Sequence, residues 1–321
     1  MVLAGCAKVE APIRPVGEDP VALLPSGADV IIDVDVDQLR GWADTRRFVA
    51  LLPPVAHQRL AGLGFDPLDD VDAVWAAIYD LGRPNQRTLL LLKTELELDR
   101  FGKDLGGEPQ TVDHRGARLL EGTDRAVGRV TGKILALGPR AEVRRALDLA
   151  RGDGESARGD KMLMAAWGRC PTAKVGRPAV LLALTMRETV KEELRRQDLP
   201  GVDTEWLALS FAVGDGFDVG AIAAARGPGE AKQMVQAGQR RKEEFARTRA
   251  AKLLGLRVYL DPLLMVARDN EVHLVYRLPG TTVDRMLSRL ESLMATPPPA
   301  PPVTPPPTPT PTPPSTKHGR S

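Results

Sequence analysis

Apolar and acidic residues alternate near the start of the chain. The two sets are Val30, Ile32 and Val34 against Asp33 and Asp35. Because successive side chains of a strand point to opposite faces, this pattern predicts a strand over 29–36 with one apolar and one largely acidic face. Asp37 fits the N-cap of a following helix, which the prolines at 53–54 end near residue 52.

The rest of the chain divides into two similar series of elements. The first half continues with a hairpin, a helix, three short strands and a helix, at 73–79 and 88–93, 96–105, 118–137 and 139–150. The second half has a strand, a charged helix, a hairpin, a long helix, another hairpin and a last helix, at 179–184, 188–196, 205–225, 228–254, 256–278 and 281–295.

One segment recurs in residues as well as in plan. Val71-Asp72-x-x-Trp75-x-Ala77-Ile78 aligns with Val202-Asp203-x-x-Trp206-x-Ala208-Leu209, and the chain has only four Trp. The recurrence indicates an internal duplication. We therefore predict an α+β fold of two similar modules, 21–172 and 173–296, each a mainly antiparallel sheet with helices packed on one face.

Composition narrows the class of protein. The chain has 44 basic and 42 acidic residues, a net charge of +2, which argues against a nucleic-acid partner. The segment 297–321 is dominated by Pro, Thr and Ser, which predicts a disordered tail because proline fixes φ and removes donors. The tail is either a solvated extension or a contact segment for the cell wall or a protein partner.

The first residues carry a short motif. Leu3-Ala4-Gly5-Cys6 places an apolar and two small residues before a cysteine, and it resembles the lipobox of bacterial envelope lipoproteins. The resemblance implies lipidation of Cys6, with Ala7 fitting outer-membrane sorting towards the periplasm. Only Met1 and Val2 precede the motif, so we interpret 1–20 as a truncated signal remnant and a tether.

The second cysteine, Cys170, is expected to be a small buried residue. If Cys6 carries no lipid, a Cys6–Cys170 disulfide is the alternative.

No arrangement typical of catalysis is found. The four histidines, His57, His114, His273 and His318, lack metal-ligand spacing, and no nucleophile or phosphate-loop motif is present. We therefore assign no catalytic residue and no cofactor. Asp33, Asp35 and Asp37 are weak candidates for a hard cation such as Ca²⁺. The competing interpretation is a solvated strand face whose charges discourage edge pairing.

The part 236–252 of the long predicted helix is charged. It is rich in Arg and Lys and is either simply exposed or able to touch anionic head groups.

These observations favour a lipid-anchored envelope protein that works as a binding or scaffolding module. The first alternative is an enzyme of unfamiliar type with its site in the cleft between the modules, for which Asp33 and Asp35 are the first candidates. The second is a structural protein whose tail recruits a partner. The membrane, through the N-terminal lipid, is the one partner that the motif itself implies.

Overall fold

The strands of the described part of this protein form one antiparallel sheet. The computed structural model describes residues 19–51, 65–171, 177–196, 204–253 and 255–295. Its strands are β1 Val30–Asp35, β2 Ala73–Tyr79, β3 Arg87–Lys93, β4 Gln110–His114, β5 Ala117–Glu121, β6 Arg125–Thr131, β7 Ile134–Pro139, β8 Val180–Thr185, β9 Trp206–Gly214, β10 Gly216–Ala224, β11 Leu264–Arg268 and β12 Glu271–Pro279. The twelve strands lie in the order β11-β12-β10-β9-β8-β1-β2-β3-β7-β6-β5-β4.

Helices lie between and after the strands, so the predicted α+β class is confirmed. The α-helices are α1 Val36–Gly41, α2 Thr45–Ala50, α3 Arg140–Leu149, α4 Lys161–Gly168, α5 Glu188–Arg196, α6 Pro228–Arg247, α7 Arg249–Leu253, α8 Arg257–Leu260 and α9 Gly280–Ala295. Short 3₁₀ helices lie at Pro20–Leu23, Leu98–Leu105 and Ala157–Gly159. Among the described residues, no helix combines the length and apolarity needed to cross a membrane.

The two halves of the chain meet in the middle of the sheet. β1 pairs antiparallel with β8, and Ile31 lies opposite Ala183, both fully buried. The recurring tryptophans lie on the next strand outwards in each half, Trp75 on β2 and Trp206 on β9. The halves therefore share one continuous sheet, with the strands of each half at one end of the strand order. The division into two modules at residues 172/173 stays a prediction.

The β1 region differs from its prediction in two ways. The side chain of Asp35 accepts a hydrogen bond from the Gln38 backbone N–H at 3.0 Å, so it caps the helix that Asp37 was expected to cap, and the chain turns helical at Val36. In addition, β1 is a central strand between β2 and β8. The interpretation of its acidic face as protection of a sheet edge is therefore wrong.

Three further predictions need correction. The single helix expected to residue 52 is two short helices, α1 and α2. The strand expected from residue 256 begins only at Leu264, because α8 and Pro262 precede it. Strand β4 and helix α4 were not predicted; α4 begins where Asp160 accepts hydrogen bonds from two backbone N–H groups.

The sheet registers define two faces, which we call face A and face B. Face A carries Asp33, Trp75, Ala136 and Ser210, and face B carries Val34, Leu135 and Phe211. Helices α3 and α4 pack on face A. The 3₁₀ helix Leu98–Leu105 and α9 pack on face B, at opposite ends of the sheet. Both faces therefore contribute to the core.

Candidate functional site

The residues predicted to carry chemistry do not come together. Cys6 and the proline-rich tail lie outside the described residues. Asp35 caps α1, and Asp37 lies in the first turn of that helix beside Arg40, so Asp37 does not share the strand face of Asp33. Within the part of the chain that the structure describes, no group of three or more His, Cys, Asp or Glu side chains could hold a metal ion.

Two of the histidines are paired with carboxylates. His114 Nε2 lies 2.9 Å from Asp148 Oδ1, and His273 Nε2 lies 3.0 Å from Glu271 Oε2. Burial lowers the pKa of His273, against the opposing effect of Glu271. Glu271 also binds Arg169, so this pair belongs to an ion-pair network around a buried carboxylate.

Cys170 lies against the sheet with its Sγ 3.5 Å from the Leu182 carbonyl oxygen. Burial raises the pKa of this thiol to about 12. The thiolate, which is the reactive form of cysteine, is therefore disfavoured.

A cleft opens on face B where the two halves of the chain meet. One wall comes from α1 and the segment before α2, and the other from the β9–β10 turn and the start of α9. The cavity measures about 630 Å³. Its lining residues are Gln38, Gly41, Trp42, Ala43, Asp44, Val213, Gly214, Asp215, Gly216 and Gly280. We call this cavity the junction cleft.

An aromatic cluster supports the junction cleft. The chain has four Trp, three Tyr and six Phe, and six of these rings gather here: Trp42, Phe48, Phe211, Phe217, Tyr259 and Tyr276. Trp42 packs 5.6 Å from Phe48 and 6.3 Å from Phe211, measured between ring centroids. Because the first two rings come from the first half and the others from the second, the cluster bridges the halves.

The wall contributed by the second half consists largely of glycine backbone. Gly216 has φ +106°, and a Cβ there would lie 2.1 Å from the Leu278 carbonyl oxygen. At Gly280 a Cβ would lie 2.8 Å from Asp215 Oδ1. Only glycine fits at position 216, so the turn and the start of α9 can approach each other closely. Because these glycines carry no side chains, the space in front of them stays open.

One polar atom beside the cleft lacks a partner. Oε1 of Gln38 is buried and accepts no hydrogen bond from the described residues. A buried acceptor without a donor costs about 1–3 kcal/mol. Because Gln38 lines the cleft, a rotation of its side chain could bring this acceptor to a ligand bound there.

The two walls are held together by Arg47 on α2. Its guanidinium reaches Glu291 Oε1 at 2.8 Å, Asp284 Oδ1 at 2.7 Å and Ser288 Oγ at 3.0 Å on α9. The same guanidinium binds Asp44 at 3.0 Å. The hydrogen bond to Glu291 is the largest cause of the raised pKa of Arg47, and it lowers the pKa of Glu291 in return.

The alternative hypothesis of an enzyme predicted a site between the modules, with Asp33 and Asp35 as its first candidates. Asp33 and Asp35 are absent from the lining of the junction cleft. The register explains this, because Asp33 lies on face A while Phe211 lies on face B. The usable signal was the hairpin turn Gly214-Asp215-Gly216, but nothing local in the sequence indicated that Trp42 would lie opposite it.

No family model and no curated protein sequence matches the chain. The fold is similar to solved structures described as "Structure of crystal form III of TP0453", at 12% identity and TM-score 0.49 over 85% of this chain and 98% of that chain. The form I structure of TP0453 gives 11% identity and TM-score 0.45 over 86% of this chain and 97% of that chain. Likeness at this level carries no argument about function.

Proposed function

We propose that this chain is a lipid-anchored protein of the bacterial cell envelope that acts as a binding module, with the junction cleft as its binding site. The anchor rests on the lipobox-like Leu3-Ala4-Gly5-Cys6 and on the tether after it, and by the same resemblance the protein would face the periplasm from the outer membrane. The binding role rests on one observation: both halves of the chain build a cavity of about 630 Å³, a size common among small-molecule sites.

The lining indicates the chemistry of the ligand. The Trp42 ring offers an aromatic surface, and Gln38 Oε1 offers an unused acceptor. Asp44 and Asp215 add negative charge, although Asp44 is already paired with Arg47. These features suit a partly apolar ligand of neutral or positive charge with at least one hydrogen-bond donor.

The neutral aromatic amine N-phenyl-1-naphthylamine, which has one N–H donor, is a suitable probe. We expect its fluorescence to rise on binding to the full chain and the affinity to fall on Gly41→Leu. The new side chain would occupy the cleft, since a Cβ at Gly41 meets no atom within 4 Å. Gly132→Leu is the matched control, because its Cβ is equally free and lies outside the cleft lining. Equal affinity in both variants would mean that the probe binds elsewhere.

The anchor has a separate test. Cells expressing the natural full-length gene are fed an alkynyl fatty acid, and the protein is isolated from the membrane fraction. We expect label in the wild type and none in Cys6→Ser. An unlabelled full-length product would remove the anchor from the proposal and leave the cleft untouched, since the two experiments are independent.

A further inference from the structure

The two edge strands of the sheet differ in how they meet solvent. β4 and β11 are both five residues long, and each pairs on one side only among the described strands. β4 presents Gln110, Thr111 and Asp113 as its exposed residues. β11 instead exposes Leu264 (63%) and Val266 (45%). An exposed edge strand with apolar residues can pair with a strand of a second chain, and Arg268 is the only charged side chain on β11 that would discourage such pairing.

The apolar surface extends from β11 onto its neighbour. Leu264 lies directly opposite Val275 of β12, which is 43% exposed. Through the register of β12, β10 and β9, these residues belong to face A. In the first half of the chain, α3 covers face A beside Gly128 of β6. No described helix covers face A at β11, because α6, the helix that packs against β11, contacts Met265 on face B, and α9 packs on face B as well.

We propose that the chain forms a two-fold dimer in which β11 pairs antiparallel with β11 of a second copy. Directly paired residues of antiparallel strands point to the same face. In a symmetric pair one residue must therefore lie opposite its own copy, and the two-fold axis passes between these two residues. An axis at Val266 is the register that pairs all five residues.

The charges of β11 fit this register. Arg268 of one copy lies opposite Leu264 of the other, and Val266 lies opposite itself, so no like charges face each other. The unpaired backbone donors and acceptors of both edges then form hydrogen bonds, and the aliphatic strips of the two copies become continuous on face A. The strand can thus pair with a second copy of itself through its backbone and its apolar surface, without bringing like charges together.

Analytical ultracentrifugation of the full chain carrying Cys6→Ser tests the dimer, since this variant has neither a lipid nor a thiol at position 6. We expect a monomer–dimer equilibrium. Val266→Lys places two ammonium groups together at the axis and should weaken the dimer at least about tenfold. Thr111→Lys adds the same charge at the exposed face of β4 and should leave the dimer unchanged. A monomer at every concentration, or a Val266→Lys dimer as tight as the parent, overturns the proposal.

The register has its own test at Leu264. Leu264→Glu puts a carboxylate opposite Arg268 of the second copy and should preserve or tighten the dimer, whereas Leu264→Lys should weaken it at least about tenfold. Because Leu264 is 63% exposed, both variants should fold, as circular dichroism would show. If both substitutions weaken association equally, the contact is a non-specific apolar one and strand pairing in this register is wrong.

Discussion

The core of the first half and the aromatic cluster beside the junction cleft bury their apolar side chains to different extents. In the first half the interior is aliphatic and closed. Among the described residues, the first half contributes most of the fully buried large side chains, whereas the second half contributes only two, Leu278 and Leu287; those of the first half are Tyr79, Phe101, Leu24, Ile31, Leu89, Leu91, Leu92, Leu105, Leu119, Leu135, Leu137 and Leu163. The cluster around Phe217, where the second half meets the first, has only four buried members, and most of its rings are partly exposed beside the junction cleft.

This difference separates a part that stabilises the fold from a part that can receive a ligand. A closed aliphatic core gains the full transfer free energy of its side chains. A cluster with exposed rings forgoes part of that free energy, and a ligand can recover it by covering the rings. We therefore expect substitutions in the first half to change stability most and substitutions beside the cleft to change binding most.

The largest expected effect is on the aliphatic core. Leu135→Ala on β7 removes a fully buried side chain and should lower the free energy of unfolding by about 3 kcal/mol. Leu51→Ala makes the same chemical change at a partly buried position of the aromatic cluster and should cost clearly less. Urea unfolding of both variants measures the difference, and equal losses would contradict the contrast between the closed aliphatic core and the aromatic cluster.

A buried carboxylate provides the second comparison. Glu142 on α3 is only 1% exposed and is bound by Arg87 and Arg145. Glu142→Gln keeps the shape but removes the charge that both guanidinium groups face, so we expect a loss of about 2 kcal/mol. Glu291→Gln, at the exposed Arg47 contact, is the matched substitution in the second half and should lower stability much less. A loss at Glu291 as large as at Glu142 would show that the contacts of Arg47 with α9, which we call the clamp, also stabilise the fold.

How far the sequence predicted these features depends on how local each feature is. The hairpin of β2 and β3 was predicted within one residue, because its alternation and turn are contained in about twenty residues of sequence. The central position of β1 was not predicted, since sheet order depends on pairing with β8, far along the chain. The residues that line the junction cleft were not predicted, for the same reason. Trp42 and Phe211 come together only when both halves have joined the sheet.

A third substitution should act in opposite directions on stability and on binding. Gln38→Leu removes the buried acceptor that lacks a partner, so the free protein should become more stable by about 1 kcal/mol. The same variant should bind N-phenyl-1-naphthylamine more weakly, because the N–H donor of the probe loses its acceptor. Thermal unfolding and probe titration measure the two effects. A Gln38→Leu protein that is less stable and binds equally well would assign Gln38 a purely structural role.

The smallest expected effect is on the pH dependence of the clamp between α2 and α9. The pKa of Glu291 is lowered, chiefly by its hydrogen bond from Arg47, so the carboxylate binds protons less readily in the folded chain than in the unfolded one. The contribution of the clamp to stability is therefore complete above the ordinary pKa of glutamate and is lost as the pH falls through the lowered value. The difference in melting temperature between wild type and Glu291→Gln should accordingly be constant near neutral pH and shrink on acidification. A difference that grows as the pH falls would have the wrong sign for a carboxylate held by Arg47, and the clamp could not then be what keeps the two walls of the cleft together.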